Sequence, residues 1–357
     1  MKHPLRFPSP SAQHRLPLLA LLAISLVPTL YSLCSAQGLD RIMRRNGIDS
    51  GKITNVSVLA VTISKGGVEN KVPVEEIRSI DFSGEPTELS SIRKNAGAGR
   101  YREALAKLKD LDSEKVDRKE ILQEIEYLSV LSKARMALAG QGDLERASGE
   151  VSNFLSKHRT SYHVPAVIEL YGDVLSAGTK YSEARAQYAK LGKAPSPFFK
   201  ARSALLTGRV LQEEGKHAEA VAQFDISLQA AKGNAAAESQ MTEALLHRAV
   251  SQAATGEGEQ STDAIKQLIS QTKPEDTELL ARSYNALGDC FLRSDDPKSA
   301  RLAFLHVDLL FHQAGTEHAK ALYELSKLWK VLGQETRSRD ALERLQREYP
   351  ESRWARK

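Results

Sequence analysis

The segment ARSYNALGDCFLRSDDPKSARLAFLHVDLL, residues 281–310, restricts what this chain can fold into more than any other stretch. From Tyr284, Leu287 follows three residues on, Gly288 four on and Phe291 seven on; after the turn SDDP come Ala300 and Phe304. Apolar residues at i, i+3 and i+7 make one stripe along a helix, and Gly288 and Ala300 are small where two helix backbones must approach. The spacing predicts a helical hairpin.

The same template recurs. From Ala204 it gives Gly208 and Leu211, then Ala220 and Phe224, with Thr207 departing from the pattern. From Ile168 it gives Tyr171, Gly172 and Leu175, then Ala184, Tyr188 and Leu191. From Leu322 it gives Leu325, Ser326 and Trp329, then Ser338, Leu342 and Leu345, closed by YPES. Weaker copies start near Leu131 and in the helix GRYREALAKLKDL, and another at 242–271 is expected to carry extra residues in its turn, GEGEQ. Paired helices at a period of about 34 residues resemble the tetratricopeptide repeat, over roughly residues 86–354. The resemblance implies a mostly α protein, a right-handed α-solenoid of helical hairpins, of the exported bacterial type.

Before the repeats the texture changes. Val, Ile and Thr crowd Gly51–Phe82, and alternation sets Leu59, Val61 and Ile63 against Ala60, Thr62 and Ser64. Gly66-Gly67 reads as a hairpin turn, a break or bulge is expected near Val58, and Glu75-Glu76 as a short turn before a last strand with Ile77, Ile80 and Phe82. Three or four short strands closing on themselves are expected, because an isolated hairpin is marginal in water. The order G-x-I, V-T-I, glycine turn, V-P-V-x-x-I-x-x-I resembles a small SH3-like or Sm-like barrel. Residues 38–85 form this β module. Its seven basic and seven acidic residues balance, and its one basic cluster, Arg41, Arg44 and Arg45, is read as lying ahead of the strands. Nucleic acid is therefore not the expected partner, since phosphate binding needs a local positive excess.

Residues 1–36 hold Lys2, Arg6 and Arg15, no acid, then LPLLALLAISLVPTLYSL and CSA before Gln37. This is how an export signal reads, with a cut expected after Ala36; the open alternative is an uncleaved membrane anchor at residues 16–33. The expected location is the periplasm or cell envelope. After such a cut Cys290 is the one cysteine left, read as a buried, inert thiol. The net charge of +5 falls to +2 without the leader's three cations.

No H-E-x-x-H, phosphate loop, G-x-S-x-G or paired-cysteine site is present. His306, His312 and His318 step by six residues, about 240° of helix rotation each, so they do not share a face. Asp295 and Asp296 before Pro297 read as helix-start chemistry. The chain is therefore expected to be non-enzymatic and to need neither cofactor nor metal. In tetratricopeptide proteins the first helix of each hairpin lines an inner groove that receives a peptide. Off the packing stripe, those helices carry Arg202, Arg209, Arg282, Asn285, Arg293, Lys320, Tyr323 and Lys327, with Glu213 and Asp289 the clearest acids. An acidic protein segment is the expected partner. A self-assembling or membrane-docked accessory of an envelope complex is the alternative.

Overall fold

The computed structural model describes residues 38–356, to which every structural statement below applies; the leader and the cut expected after Ala36 lie outside them. Five strands come first: β1 (Asp40–Arg44), β2 (Gly47–Val56), β3 (Ala60–Lys65), β4 (Val68–Pro73) and β5 (Ile77–Asp81). They form one antiparallel sheet in the order β4-β3-β2-β1-β5. A single 3-10 turn, Val74–Glu76, leads into β5 where the sequence reading placed a turn. β2 is the long strand: its first half pairs with β1 and its second with β3, with a bulge between Ile53 and Asn55. Strand β2 ends at Val56, close to Val58, and Gly66 and Gly67 take φ of 60° and 84° at the β3–β4 turn, a left-handed conformation that suits glycine.

Two expectations for this module need correcting. The sheet has five strands with β4 and β5 at its edges, rather than three or four closed on themselves. Arg41 and Arg44 also do not precede the strands but belong to β1, which is an interior strand of the sheet. DRIMR was hard to see because it shows only two apolar residues among three charges. What makes it a strand is burial of Ile42 and a buried carboxylate, Asp40.

Fourteen α-helices follow as seven hairpins: α1 (Glu88–Gly97) with α2 (Tyr101–Asp110), α3 (Lys119–Leu138) with α4 (Leu144–Lys157), α5 (Val164–Ala177) with α6 (Tyr181–Leu191), and α7 (Pro197–Glu213) with α8 (His217–Ala231). The last three are α9 (Glu238–Ala254) with α10 (Gly258–Gln271), α11 (Thr277–Arg293) with α12 (Pro297–Leu310), and α13 (Gly315–Val331) with α14 (Glu335–Glu348). Asp296 caps α12 by accepting the Ser299 amide at 3.0 Å, so the SDDP carboxylates start a helix as expected. No helix among the described residues is long and apolar enough to cross a membrane.

Within three hairpins the two helices touch through a glycine and an aromatic ring sixteen residues later. A Cβ on Gly208 would lie 2.6 Å from Phe224 Cε1, and one on Gly288 would lie 2.5 Å from Phe304 Cζ; Gly172 faces Tyr188 in the same way. The ring occupies the space of the missing side chain. Hairpin five keeps the spacing with other residues, Ala249 and Ile265, which pack in one cluster. Here a residue larger than glycine on the first helix meets one smaller than an aromatic ring on the second. Its register thus begins three residues later than the sequence reading placed it. The expected expanded turn is absent: only Thr255–Glu257 separate α9 from α10, because Gly258, Glu259 and Gln260 already belong to the helix.

The sheet and the first helices share one core, in which Ile42, Val61, Ile63, Val72, Ile80 and Phe82 meet Leu89, Ile92, Ala104, Ile121 and Leu128. Two buried charges fasten that junction. Asp40 accepts the amides of Ile53 (2.7 Å) and Ser83 (2.8 Å) and the Arg118 guanidinium (2.6 and 3.2 Å), tying β1 to β2, the end of β5 and the entrance to α3. Glu124, on α3, receives Arg93 Nε (2.9 Å), the Tyr162 hydroxyl (2.7 Å) and His163 Nε2 (2.8 Å). Burial by itself would raise its pKa, but His163, Arg93 and Tyr162 outweigh burial and hold it at about 2.

Two consequences are measurable. Gly208→Ala and Gly288→Ala should each cost about 1 to 3 kcal/mol in urea unfolding by overpacking a rigid ring contact, and unchanged midpoints would remove the assigned role of these glycines. Because Glu124 is depressed in the folded state, its contribution is complete above its unfolded pKa, about 4.5, and is lost as pH falls toward 2. Urea midpoints of Glu124→Gln should therefore show a shallower acid dependence than those of the unaltered chain between those two pH values.

Candidate functional site

The first helices of hairpins four to seven turn one face each toward a common cleft of about 970 Å³. α7 contributes Arg202, Arg209 and Glu213; α9 contributes Glu243 and His247; α11 contributes Arg282, Asp289 and Arg293; α13 contributes Glu317, Lys320, Glu324 and Lys327. A smaller cavity of about 310 Å³ continues toward α3 and α5, past Arg135 and Asp173. Helical periodicity explains the arrangement. Each first helix spends one face on its partner helix and another on neighbouring hairpins, which leaves the polar third face to line the open side.

Six of the eight residues expected from the sequence line the larger cleft: Arg202, Arg209, Arg282, Arg293, Lys320 and Lys327. Asn285 does not. It is 1% exposed, and its amide donates to the Glu317 carbonyl (3.0 Å) and carboxylate (2.8 Å) across α11 and α13. Its place one position beyond the visible packing stripe hid the second contact surface that α11 makes with the next hairpin. Tyr323 is not one of the lining residues but packs against two that are: the Lys327 ammonium sits 5.0 Å over its ring, and the Trp354 ring lies 5.4 Å away.

The lining is less cationic than the sequence implied. Five carboxylates, Glu213, Glu243, Asp289, Glu317 and Glu324, stand among seven cations, counting Arg353. Arg202 pairs with Glu169 and, at 3.5 Å, with Glu243; Arg209 reaches Glu243 at 3.3 Å. Lys320 holds Asp289 at 2.6 Å, Lys327 holds Glu324 at 3.1 Å, and Arg282 contacts Glu278 at 3.1 Å and Glu317 at 3.7 Å. Arg293 and Arg353 have no carboxylate in ion-pair reach among the described residues. In this setting His247, on the cleft wall, is kept neutral: burial first, then Arg209 and Lys320, move its pKa well below the ordinary imidazole value. Glu243, Glu317 and His247 were invisible to the sequence reading because the register of hairpin five was off by three residues and because partners one hairpin apart are about 32 to 35 residues apart in sequence.

The remaining candidates resolve into structure. His318 is buried between Asp308 (2.8 Å) and the Tyr349 hydroxyl (2.7 Å), clasping α12, α13 and α14, while His306 stacks on Tyr284 at 4.6 Å. Among the described residues no three potential metal ligands converge. Cys290 is fully buried, and burial, with Asp289 beside it, pushes its thiol up to about 12.

The architecture is that of a helical-repeat protein whose inner face is an open cleft. Residues 320–352 match the tetratricopeptide repeat family model. The helical part has the fold of tetratricopeptide-repeat proteins. It is similar to a tetratricopeptide repeat protein from Parabacteroides merdae (TM-score 0.52, 15% identity, covering 72% of this chain and 91% of that one). It is also similar to a Rap protein complexed with competence and sporulation factor (TM-score 0.53, 13% identity, covering 75% of this chain and 76% of that one). No curated protein matches the chain in sequence.

The thiol gives a direct check on the packing of α11. With iodoacetamide at pH 8, peptide mapping should find Cys290 unmodified in the folded chain and modified in urea, because a thiol held at about 12 supplies almost no thiolate there. Rapid labelling of Cys290 in the folded chain would contradict its placement against α12 and the neighbouring hairpin.

Proposed function

We propose that this chain is a non-enzymatic scaffold that binds a segment of another protein in the cleft formed by α7, α9, α11 and α13. The observation that carries this reading is the convergence of six first-helix cations, from three different hairpins, on one open volume of about 970 Å³. The size and the lining suit an extended or helical peptide, and a Rap protein of the same fold, complexed with competence and sporulation factor, is consistent with a chain of this shape holding a partner. The partner's acidity is proposed from the two lining cations that form no ion pair among the described residues, Arg293 and Arg353. The paired cations contribute less, since an incoming carboxylate must compete with one already in place. The exported, envelope location, with or without an anchor, is proposed from the composition of the leader alone.

Exposed leucines on α12, Leu302, Leu309 and Leu310, favour a second reading, self-assembly of an envelope accessory through that helix. Sedimentation velocity over a concentration series separates the two: a monomer at all concentrations leaves the scaffold reading, and growth with concentration that Leu309→Glu abolishes supports assembly.

For the scaffold, capture from cell extract at low and high salt is the test. One partner should be retained at low salt, released at high salt, and reduced at least about tenfold by Arg293→Glu with Lys327→Glu, both exposed positions, without a change in melting. Undiminished capture by the reversed chain would remove the charge-guided cleft.

A further inference from the structure

After α14 the chain does not leave the solenoid. Residues 349–356 turn back, with the Ser352 amide on the Tyr349 carbonyl (2.9 Å) and the Ala355 amide on the Ser352 carbonyl (3.2 Å), and Arg353 and Trp354 line the larger cleft. Trp354 is buried on Ala319 and Leu322 of α13 and on Leu345 of α14. Arg353 borders both cavities, sharing that boundary with Arg209 and Glu213 of α7. One residue pair further, the Arg356 guanidinium lies so close to the turn between α3 and α4 that a Cβ on Gly140 would collide with it. A segment rooted in hairpin seven therefore reaches hairpin two, and its Arg353 stands with Arg209 and Glu213 of α7 between the two cavities.

This return is held unevenly. The indole supplies the apolar contact, and the Arg353 guanidinium lies over it at 4.6 Å. The charges do little: Arg356 donates to the carbonyl and carboxylate of Glu351 in its own segment, both at 3.0 Å, and Arg353 has no carboxylate in reach among the described residues. Burial first and then the nearby Arg209 work against the Arg353 charge and lower its pKa, and the more weakly acting Glu213 and Glu317 only partly offset them. No charged side chain of the segment forms an ion pair with the solenoid among the described residues. Trp354 is therefore the anchor, and the cationic part beside it sits next to a like charge. An acidic segment entering the same space would gain attraction from Arg209 where the chain's own segment meets repulsion.

We propose that residues 349–356 are a built-in occupant of the inner channel, a latch that a partner's segment displaces in order to bind. The proposal rests on the reading of the cleft as a peptide site and adds its regulation: the resting chain is partly closed by its own aromatic and arginine pair. A tethered segment competes at an effective concentration on the order of millimolar, so a free ligand of modest affinity is held off until the anchor is loosened.

The probe is a fluorescein-labelled, end-capped octapeptide with the sequence of residues 349–356, YPESRWAR, titrated by fluorescence anisotropy against the full chain and against the full chain carrying Trp354→Ala and Arg356→Ala. The doubly altered chain, its seat vacated, is expected to bind at least about tenfold more tightly than the unaltered one. Equal binding to the two overturns the latch and leaves the peptide site standing. Binding to neither overturns the latch as well, and partner capture then judges the peptide site separately. Because loss of the indole can loosen hairpin seven, melting curves accompany both chains. A second form, Arg356→Ala alone, keeps Trp354 packed while removing the contact at Gly140, and should show a smaller gain in the same direction; no gain from a form that melts as the unaltered chain does counts against the proposal.

Discussion

The close approach of paired helices through a glycine sets the geometry on which the rest depends. At Gly172, Gly208 and Gly288 the first helix gives up its side chain so that an aromatic ring of the second can lie against the backbone. Interiors are packed too densely to leave such a ring without a defined seat. The ring fixes the separation of the two helices in its hairpin, and with it where the polar face of each first helix points. Hairpin five shows that the constraint is one of combined volume rather than residue identity, since Ala249 with Ile265 fills the same place.

Stacked hairpins lean on their neighbours, and a stack needs an end that does not fray. Here the five-stranded sheet serves that end, sharing a continuous apolar core with α1 to α3. Its junction is buried and charged. A charge removed from water is tolerable only when most of its hydrogen-bonding capacity is met. Asp40 and Glu124 satisfy that condition with three partners each, drawn from segments distant in the chain. Asp40 selects one way of docking the sheet, because any other would leave its carboxylate buried and unmet, and Glu124 does the same for the packing of α1 and the start of α5 on α3. Ser196 adds a tether further along, donating to Glu75 at 2.6 Å.

The cleft follows from this frame. Carboxylates and cations from successive first helices are brought within reach of one another, so the inner wall is a set of cross-hairpin ion pairs rather than a uniform positive surface. Such pairs contribute little stability in contact with water, but they orient side chains and set which positions remain free to meet a ligand. Arg293 is one of those positions. The other, Arg353, arrives on the segment that returns from hairpin seven.

The helical hairpins, their small-to-aromatic spacing, the helix-starting Asp296, the glycine turn between β3 and β4 and the burial of Cys290 were legible in the sequence. They depend on interactions between residues a few positions apart, or at one fixed distance that repeats. The first strand was not, because its signal lies in a buried Asp40 whose partners, Ile53, Ser83 and Arg118, are local to nothing in DRIMR. Nor was the burial of Asn285, the acidic share of the cleft, or the return of Arg353 and Trp354 to it. Those depend on which faces of separate hairpins meet, a matter of accumulated rotation along the stack. The sequence determined each hairpin through short-range periodicity. Only the tertiary structure decided what the hairpins enclose, because small angular steps between rigid units add up over seven of them and no single segment carries their sum.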